Sequence, residues 1–511
     1  MSDDELSSSG ARPIPSPATL ALSTPRVPDM QEETTTPRPS PPQTSYPITF
    51  VIVGGGIAGL ACALALRRVG HRVTVLERLE RDAARGEHGV RAPPNLSKIL
   101  FHWGLRDALM SKASIMDKLV FTKCECKVPN RRAFPCVTTP LLCHLPDDSS
   151  ETLAEQLWDA EMLKETQGLF LMLSHPDLHD IFCDAAIQLG ADVRFSSEVV
   201  EVDPPSRAVT LSSGERLSGD VLIGADGALG QCRTAVLGRR DPGSPTGLAV
   251  YDTLISLAYV STFDPRVALK SWQCLALGGG RAAVAYPIRG FEDISFQLYA
   301  PDDAGASGCY EDAAPVDLAL VTKDSGISDH LRQTVLGARK TKVIPIRQHV
   351  DLEDWVSDDG RLLLIGEAAH PFPPTTIQGT AMAVEDGAVL AKLFSHLSSA
   401  AQIESFLYAF QEIRQSRVRN VRAAELGAIA MLTADGPAAA ARDASLRANA
   451  ARGPGANVLE GGGSAEGVWE EYSVLFGYDC EDEADEWWVQ WGRLRQRAQD
   501  RSMAADGEEP A

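Results

Sequence analysis

The sequence predicts an α/β protein carrying an inserted, mainly antiparallel sheet and C-terminal helices. Three observations predict it. Residues 48–78 read as a strand–helix–strand unit with glycines at G-x-G-x-x-G spacing. Two later buried strands also end in glycine and carboxylate, as ligand-binding strand ends of open α/β sheets do. Between those two, residues 245–350 change to short alternating stretches separated by Gly, Pro and Asp, the pattern of antiparallel strands.

In the opening unit Ile48–Val53 is the strand. Gly54, Gly56 and Gly59 follow, then an apolar-faced helix to about Val69, a turn at Gly70 and a second strand, Val73–Leu76. Gly54 permits the tight turn, Gly56 lets the backbone approach a pyrophosphate, and Gly59 lets the helix pack closely on the sheet. The helix start turns unpaired N–H groups and a positive dipole end toward that diphosphate. Glu77 closes the second strand, placed to accept hydrogen bonds from a ribose diol, with Arg78 beside it. These parts together define a Rossmann-like dinucleotide site. They leave open whether the dinucleotide is FAD or NAD.

The 511 residues allow two or three domains and a large core. Apolar (44%) and charged (23%) fractions are those of an ordinary soluble globular chain. A net charge of −21 argues against nucleic acid or an anionic membrane as partner, since both require a basic face. Cysteines show no repeating framework; Cys124 and Cys126 form C-x-C and no C-x-x-C occurs, which argues against a zinc ribbon or a redox dithiol. Reduced thiols and the lack of an apolar N-terminal core predict a cytoplasmic protein. No run reaches the roughly 18 apolar residues of a membrane helix, so no transmembrane segment is expected.

Residues 1–47, rich in Pro, Ser and Thr, read as a disordered leader. The dinucleotide-binding part runs over 48–244 and resumes at 351–430 around the inserted sheet of 245–350. Residues 431–511 form a flexible connection and a C-terminal cap. Arg81–Asn95 is loop-like and carries Gly89 and Arg91, an arginine for a phosphate, a cofactor ring edge or solvent. Leu96–Leu109 reads as a helix, and residues 117–170 show no clear period. Pro176–Leu189 is a helix ended by Gly190, with Val193–Phe195, Val199–Val202 and Val209–Leu211 as short strands and a hairpin turn at Ser212–Glu215.

The strand Asp220–Ala225 ends in Asp226-Gly227, and Arg233 follows in the same stretch. The strand Arg361–Ile365 runs into Gly366-Glu367-Ala368-Ala369-His370, where small residues allow close approach of something flat or charged. His370 is a candidate base, or a histidine bound to backbone. Gln378, Gly379 and Thr380 lie at the start of a helix to about Leu397, a second place for a carbonyl or an anion. Residues 400–430 are helical. Pro437–Gly467, rich in Ala and Gly, reads as the flexible connection. Gly453–Gly492 has no Lys or Arg, and its tryptophans at helical spacing fit a cap packed on a neighbour.

Taken in order, the strand ends at 54–59, 226–233 and 366–379 resemble those of the single-component FAD-dependent aromatic monooxygenases, the para-hydroxybenzoate and salicylate hydroxylase family. The likeness covers about residues 48–425. GEAAHPFPPTTIQGTAMAVED and the later VLFGYD (474–479) look most similar to fungal salicylate-hydroxylase-like enzymes of secondary metabolism. The resemblance implies FAD as cofactor and NAD(P)H as co-substrate. It implies an aromatic or polyketide-like small molecule, hydroxylated or epoxidised with O2 through a flavin C4a-hydroperoxide.

It also implies that Gly54, Gly56, Gly59 and Glu77 hold the ADP half of FAD. Asp226, Gly227 and Arg233 would lie near the diphosphate, Arg233 being tied to NAD(P)H use. Gly366, Glu367 and the residues after them would meet the ribitol, and Gln378, Gly379 and Thr380 the isoalloxazine ring. Three positions depart from the family pattern: Gly230 replaces a serine, Glu367 an aspartate, and His175 stands where the family has an arginine against the flavin. Tyr251 precedes Asp252 where the family often shows Tyr-Arg, so Tyr251 is the candidate for touching substrate. Tyr251 and Arg233 are thus the catalytic candidates. No nucleophilic triad, metal site or second G-x-G-x-x-G is found. A flavin dehydrogenase or oxidase and an FAD-fold binding protein without turnover are the alternatives.

Overall fold

The computed structural model describes residues 42–123, 152–158, 160–263, 272–302, 315–322, 329–453, 456–459 and 473–494. Residues 1–41 of the expected leader, Cys124, Cys126 and residues 460–467 of the expected connection lie outside these. Five parallel strands form one sheet, in the order Leu362–Leu364, Val221–Gly224, Thr49–Val53, Arg72–Leu76, Asp192–Arg194. Its central strands are buried on both faces, as a parallel sheet covered by helices requires. Helix Ile57–Arg68 packs against both Gly379–Phe394 and His175–Gln188. Its approach to the first is close because Gly387 has no side chain: a Cβ there would lie 2.9 Å from Cys62 Cα. Since the strands run in parallel, their C-terminal ends lie side by side. The glycine- and carboxylate-bearing turns therefore meet at one edge.

The second sheet has eight strands, in the order Pro315–Val316, Thr341–Gln348, Ser244–Ser256, Asp293–Pro301, Ala282–Ile288, Trp272–Leu277, Lys118–Lys123, Thr152–Leu157. All neighbours are antiparallel except Trp272–Leu277 with Lys118–Lys123. The last two strands extend the sheet beyond the expected 245–350. They come from the stretch without a readable period because Leu119, Val120, Phe121 and Thr122 are all buried, which erases the alternation. Alternate residues of this sheet feed two separate clusters. Ala249, Tyr251 and Phe296 pack with Val260, Leu318 and Leu331 on the outer face. Val250, Val284, Tyr286 and Tyr299 pack with Phe121 and Met172 on the face turned toward the parallel sheet.

Two further segments differ from expectation. Leu96–Leu109 is two helices, Pro94–His102 and Arg106–Met110, separated at Gly104, whose φ of +81° ends the first. The expected flexible connection contains a helix, Gly436–Ala450. Alanine favours the helix, Asp435 caps it by accepting the Gly436 N–H at 2.7 Å, and Pro437 sits in the first turn. The acidic cap is a helix, Cys480–Trp487, started by Asp479 accepting the Glu481 and Asp482 N–H groups. Cys480, Ala484, Trp487 and Trp488 join the main core, and Trp488 stacks on His396 at 4.3 Å. Among the described residues no helix is long and apolar enough to cross a membrane.

Helices Gly379–Phe394 and Ile403–Leu432 are joined by buried charge. Arg414 pairs with Glu385 (2.6 Å) and Asp386 (2.8 Å), all three with no exposed surface. Asp386 also accepts from His370 (2.7 Å) and the Gly366 N–H (2.8 Å). Burial pushes the Asp386 and Glu385 carboxyls up, but His370 and Arg414 for the first, and Arg417 and Arg414 for the second, outweigh it and hold both below the usual range. Removing one partner strands a buried charge, so Arg414→Met is expected to cost about 3–5 kcal/mol, measured by urea unfolding at neutral pH. Both carboxyls sit lower folded than unfolded. Their stabilisation is therefore full above the unfolded values near pH 4 and is lost as pH falls through the folded ones. The Arg414→Met variant should show a shallower acid limb than the wild type.

Candidate active site

The three glycines after the first strand do different work. Gly54 has φ +109°, and a Cβ there would lie 2.3 Å from Ala225 O on the neighbouring strand end. At Gly59 it would lie 2.0 Å from Gly54 O. At Gly56 it would meet nothing within 4 Å. The loop is thus closed on itself at Gly54 and Gly59 and open at Gly56, where the helix presents its N-terminus. Glu77, 8% exposed, lies across this loop and accepts from Gly55 N (2.7 Å) and Leu79 N (2.9 Å). Each carboxylate oxygen keeps acceptor capacity for a diol. Arg78 is exposed just beyond it.

The next strand ends bring Asp226, Gly227 and Gly366 to the same edge. Gly366 has φ +57°, and a Cβ there would lie 2.7 Å from Ala58 Cβ, so this turn sits on the helix that follows the first loop. Glu367 is exposed beside it. Asp226 accepts from Cys232 N at 3.0 Å and so caps helix Gln231–Leu237. Gly230, where the family pattern has serine, is the N-cap residue of that helix without a capping side chain. A Cβ at Gly230 would fall 2.2–2.4 Å from the Asp226 carboxylate, so glycine makes room for the substitute cap.

Arg233, expected as a catalytic candidate near the diphosphate, lies behind the 366–369 turn. It is 1% exposed, and its terminal nitrogens donate to Ala368 O (3.0 Å), Ala369 O (3.2 Å), Val350 O (2.5 Å) and Asp241 Oδ2 (3.0 Å). It clamps the 366–369 turn from behind. Tyr251, the other catalytic candidate, lies on the long strand Ser244–Ser256. It packs in the outer cluster with Val260 and Leu331, because side chains alternate along a strand and its neighbours Val250 and Asp252 take the inner face.

On that inner face the two bodies meet. Arg91 donates to Thr375 O, and its guanidinium lies 5.4 Å from the Tyr286 ring centroid. The Tyr299 hydroxyl hydrogen-bonds Thr375 Oγ1 at 2.8 Å, and Gln297 Nε2 donates to the Tyr286 hydroxyl at 3.1 Å. Gly89 lies directly over this patch: a Cβ there would sit 2.5 Å from Ser295 and 2.8 Å from the Tyr286 hydroxyl. Gln378 is buried. Its N–H donates to Glu425 (2.7 Å) and its side chain exchanges hydrogen bonds with Asn95 (3.0 and 3.3 Å). Gly379 and Thr380 open the helix beside it.

His175 lies off this patch. It meets Arg85 O at 2.6 Å through Nδ1 and packs on His88 at 4.2 Å, and burial lowers it to about 4, so it is neutral. His179, one turn on, meets Gly55 O at 3.0 Å and supports the glycine loop. Sequence reasoning missed His179, Asn95, Glu385, Asp386, Arg414, Tyr286 and Tyr299. One signal was available: two adjacent acids inside the otherwise apolar run Met382–Leu390 require buried partners.

An open cradle at Gly56, a carboxylate at the second strand end and a row of glycine turns fit an extended dinucleotide lying along the sheet edge. This is a dinucleotide-binding α/β protein with a second sheet closing over the far end of the site. Residues 48–424 match the family model described as FAD binding domain, and the chain belongs to that family. It is 30% identical over 383 residues to the FAD-dependent monooxygenase OpS4 of Beauveria bassiana, a match covering 73% of this chain and 83% of that protein. In fold it is similar to CtdE solved with FAD and substrate 4 (TM-score 0.67, 19% identity, 88% of this chain and 100% of that one). It is also similar to a salicylate hydroxylase substrate complex (TM-score 0.63, 17% identity, 86% and 97%). The chain is an FAD-dependent monooxygenase by these relationships. Glu77→Ala is expected to weaken FAD binding by roughly tenfold to a hundredfold, the loss of hydrogen bonds to a charged acceptor. Fluorescence titration of the apoprotein measures it, and a changed product profile would contradict the assignment.

Proposed function

We propose that this chain uses NAD(P)H and O2 to hydroxylate or epoxidise an aromatic or polyketide-like small molecule held between the flavin ring and the inserted sheet. The observation that carries the reading is the convergence of Arg91, Tyr286, Tyr299 and Thr375 beside residues 378–380. FAD, when bound, supplies the activation of dioxygen. The chain's own groups bind, orient and keep water out. Burial pushes the Tyr286 phenol up to about 12 and raises that of Tyr299, so both stay protonated at neutral pH and act as hydrogen-bond groups. Around them Val250, Val284, Leu275 and Met172 are buried and apolar, which suits a dry chamber. Arg233 and the Asp386–His370 pair hold the 366–370 turn from behind, so the cofactor's ribitol and diphosphate would meet a fixed backbone.

A cavity of about 310 Å³ opens next to this region. It lies off the dinucleotide cradle, beside His88 and Ser174, and four basic residues, Arg289, Arg339, Lys340 and Lys342, line it against two acidic ones, Glu87 and Asp252. Arg289 and Arg339 share the single carboxylate of Asp293 at 3.5 and 2.8 Å. In a chain of net charge −21 this is a favourable place for coenzyme phosphates. FAD-loaded protein is expected to consume NAD(P)H and O2 in step with an oxygenated product in a screen of aromatic compounds. Lys340→Glu should raise KM for the coenzyme about twofold to fivefold with kcat held, the size of a solvent-exposed charge contact. Flavin reduced by the substrate itself, with no oxygen in the product, would sink the proposal in favour of a dehydrogenase or oxidase.

A further inference from the structure

Residues 474–488 lie beyond the family match at 48–424, yet they are built into the support of the cofactor loop. The backbone of this strap is held by Arg417, which donates to Val474 O (2.5 Å) and Leu475 O (2.8 Å). The same guanidinium lies 4.1 Å from the Tyr478 ring centroid. Lys98 adds Gly477 O (3.4 Å) and Asp479 (3.2 Å) from the other side. Farther along, Trp103 Nε1 donates to Glu481 at 3.1 Å and Lys392 pairs with Asp485 at 2.9 Å.

Arg417 has a second set of contacts. It reaches Glu385 at 3.3 Å, and Glu385 accepts from Asn95 Nδ2 at 2.8 Å. Asn95 then exchanges hydrogen bonds with the Gln378 side chain, at the start of helix Gly379–Phe394. A continuous row of buried polar contacts thus runs from the strap to the loop. Arg417, Glu385, Asn95 and Gln378 are all less than 9% exposed, so water does not substitute readily for a lost member.

We propose that Arg417 is a positioning residue for the flavin, coupling the C-terminal Val474–Tyr478 strap to Gln378 so that seating of the strap and seating of the flavin ring are one event. This rests on the reading that residues 378–380 border the ring. The strap is therefore part of the cofactor site without touching the cofactor. Coupling is reciprocal: whatever the strap contributes to FAD affinity, FAD returns as order in the strap.

Amide hydrogen exchange of the full chain, with and without saturating FAD, tests this. FAD is expected to slow exchange of residues 474–479 by a factor within the usual coupling range, roughly 5- to 150-fold. In Asn95→Ala at saturating FAD, the flavin loop still gains protection while the strap does not. Tyr478→Leu is expected to raise the Kd for FAD by roughly fivefold or more, and Tyr478→Phe, which keeps the ring over Arg417, restores it. A strap of general structural importance would exchange at the same rate with or without FAD, or would gain protection along with the flavin loop in Asn95→Ala; either result overturns the coupling. Wild-type protein that takes up no FAD would instead overturn the cofactor reading itself.

Discussion

Two adjacent carboxylates, Glu385 and Asp386, lie with no exposed surface in the middle of the molecule, and much of the structure exists to keep them charged. Removing such groups from water costs several kcal/mol each unless partners compensate. The partners come from every side: Arg414 and Arg417 from the long helix, His370 and the Gly366 N–H from one turn, Asn95 from another helix. The helix bearing the carboxylates also packs on the first helix through Gly387. The turns at 366–370 and 378–380 are therefore held by the same charges that fasten the helices, and neither can shift alone.

That arrangement divides the molecule by rigidity. The dinucleotide edge is made of backbone: glycine turns, strand ends and a helix start, closed at Gly54, Gly59 and Gly366 by contacts under 3 Å from a missing Cβ and open at Gly56. The inserted sheet offers side chains instead, alternate residues of its strands facing inward.

The sequence was legible where backbone geometry decides. The five parallel strands fall within a residue or two of expectation; three of them are apolar runs that lead into glycine turns, at Gly54, Gly227 and Gly366, which leave little choice. The roles of Gly54, Gly56 and Gly59 could be read singly and match the space around each. Where side-chain partners decide, it was not. The face that Tyr251 takes could not be read, because a strand buried on both sides gives no polarity by which to choose parity. Arg233 was visible as a residue type, but its acceptors come from positions 241, 350, 368 and 369, which no local window contains. Lys118–Lys123 and Thr152–Leu157 pair with partners distant in the chain and lack alternation. Gly436–Ala450 failed for a different reason: Ala and Gly together were weighed as flexibility, although Gly lies at its start and alanine fills the rest.

Gly89 carries one more consequence. A Cβ there would sit 2.5 Å from the Ser295 side chain and 2.8 Å from the Tyr286 hydroxyl, so even a methyl group would have to displace them. The ceiling over this part of the inner face is thus as low as polypeptide chemistry permits. Space beside this point is set by the side chains of the sheet, since Gly89 has none of its own.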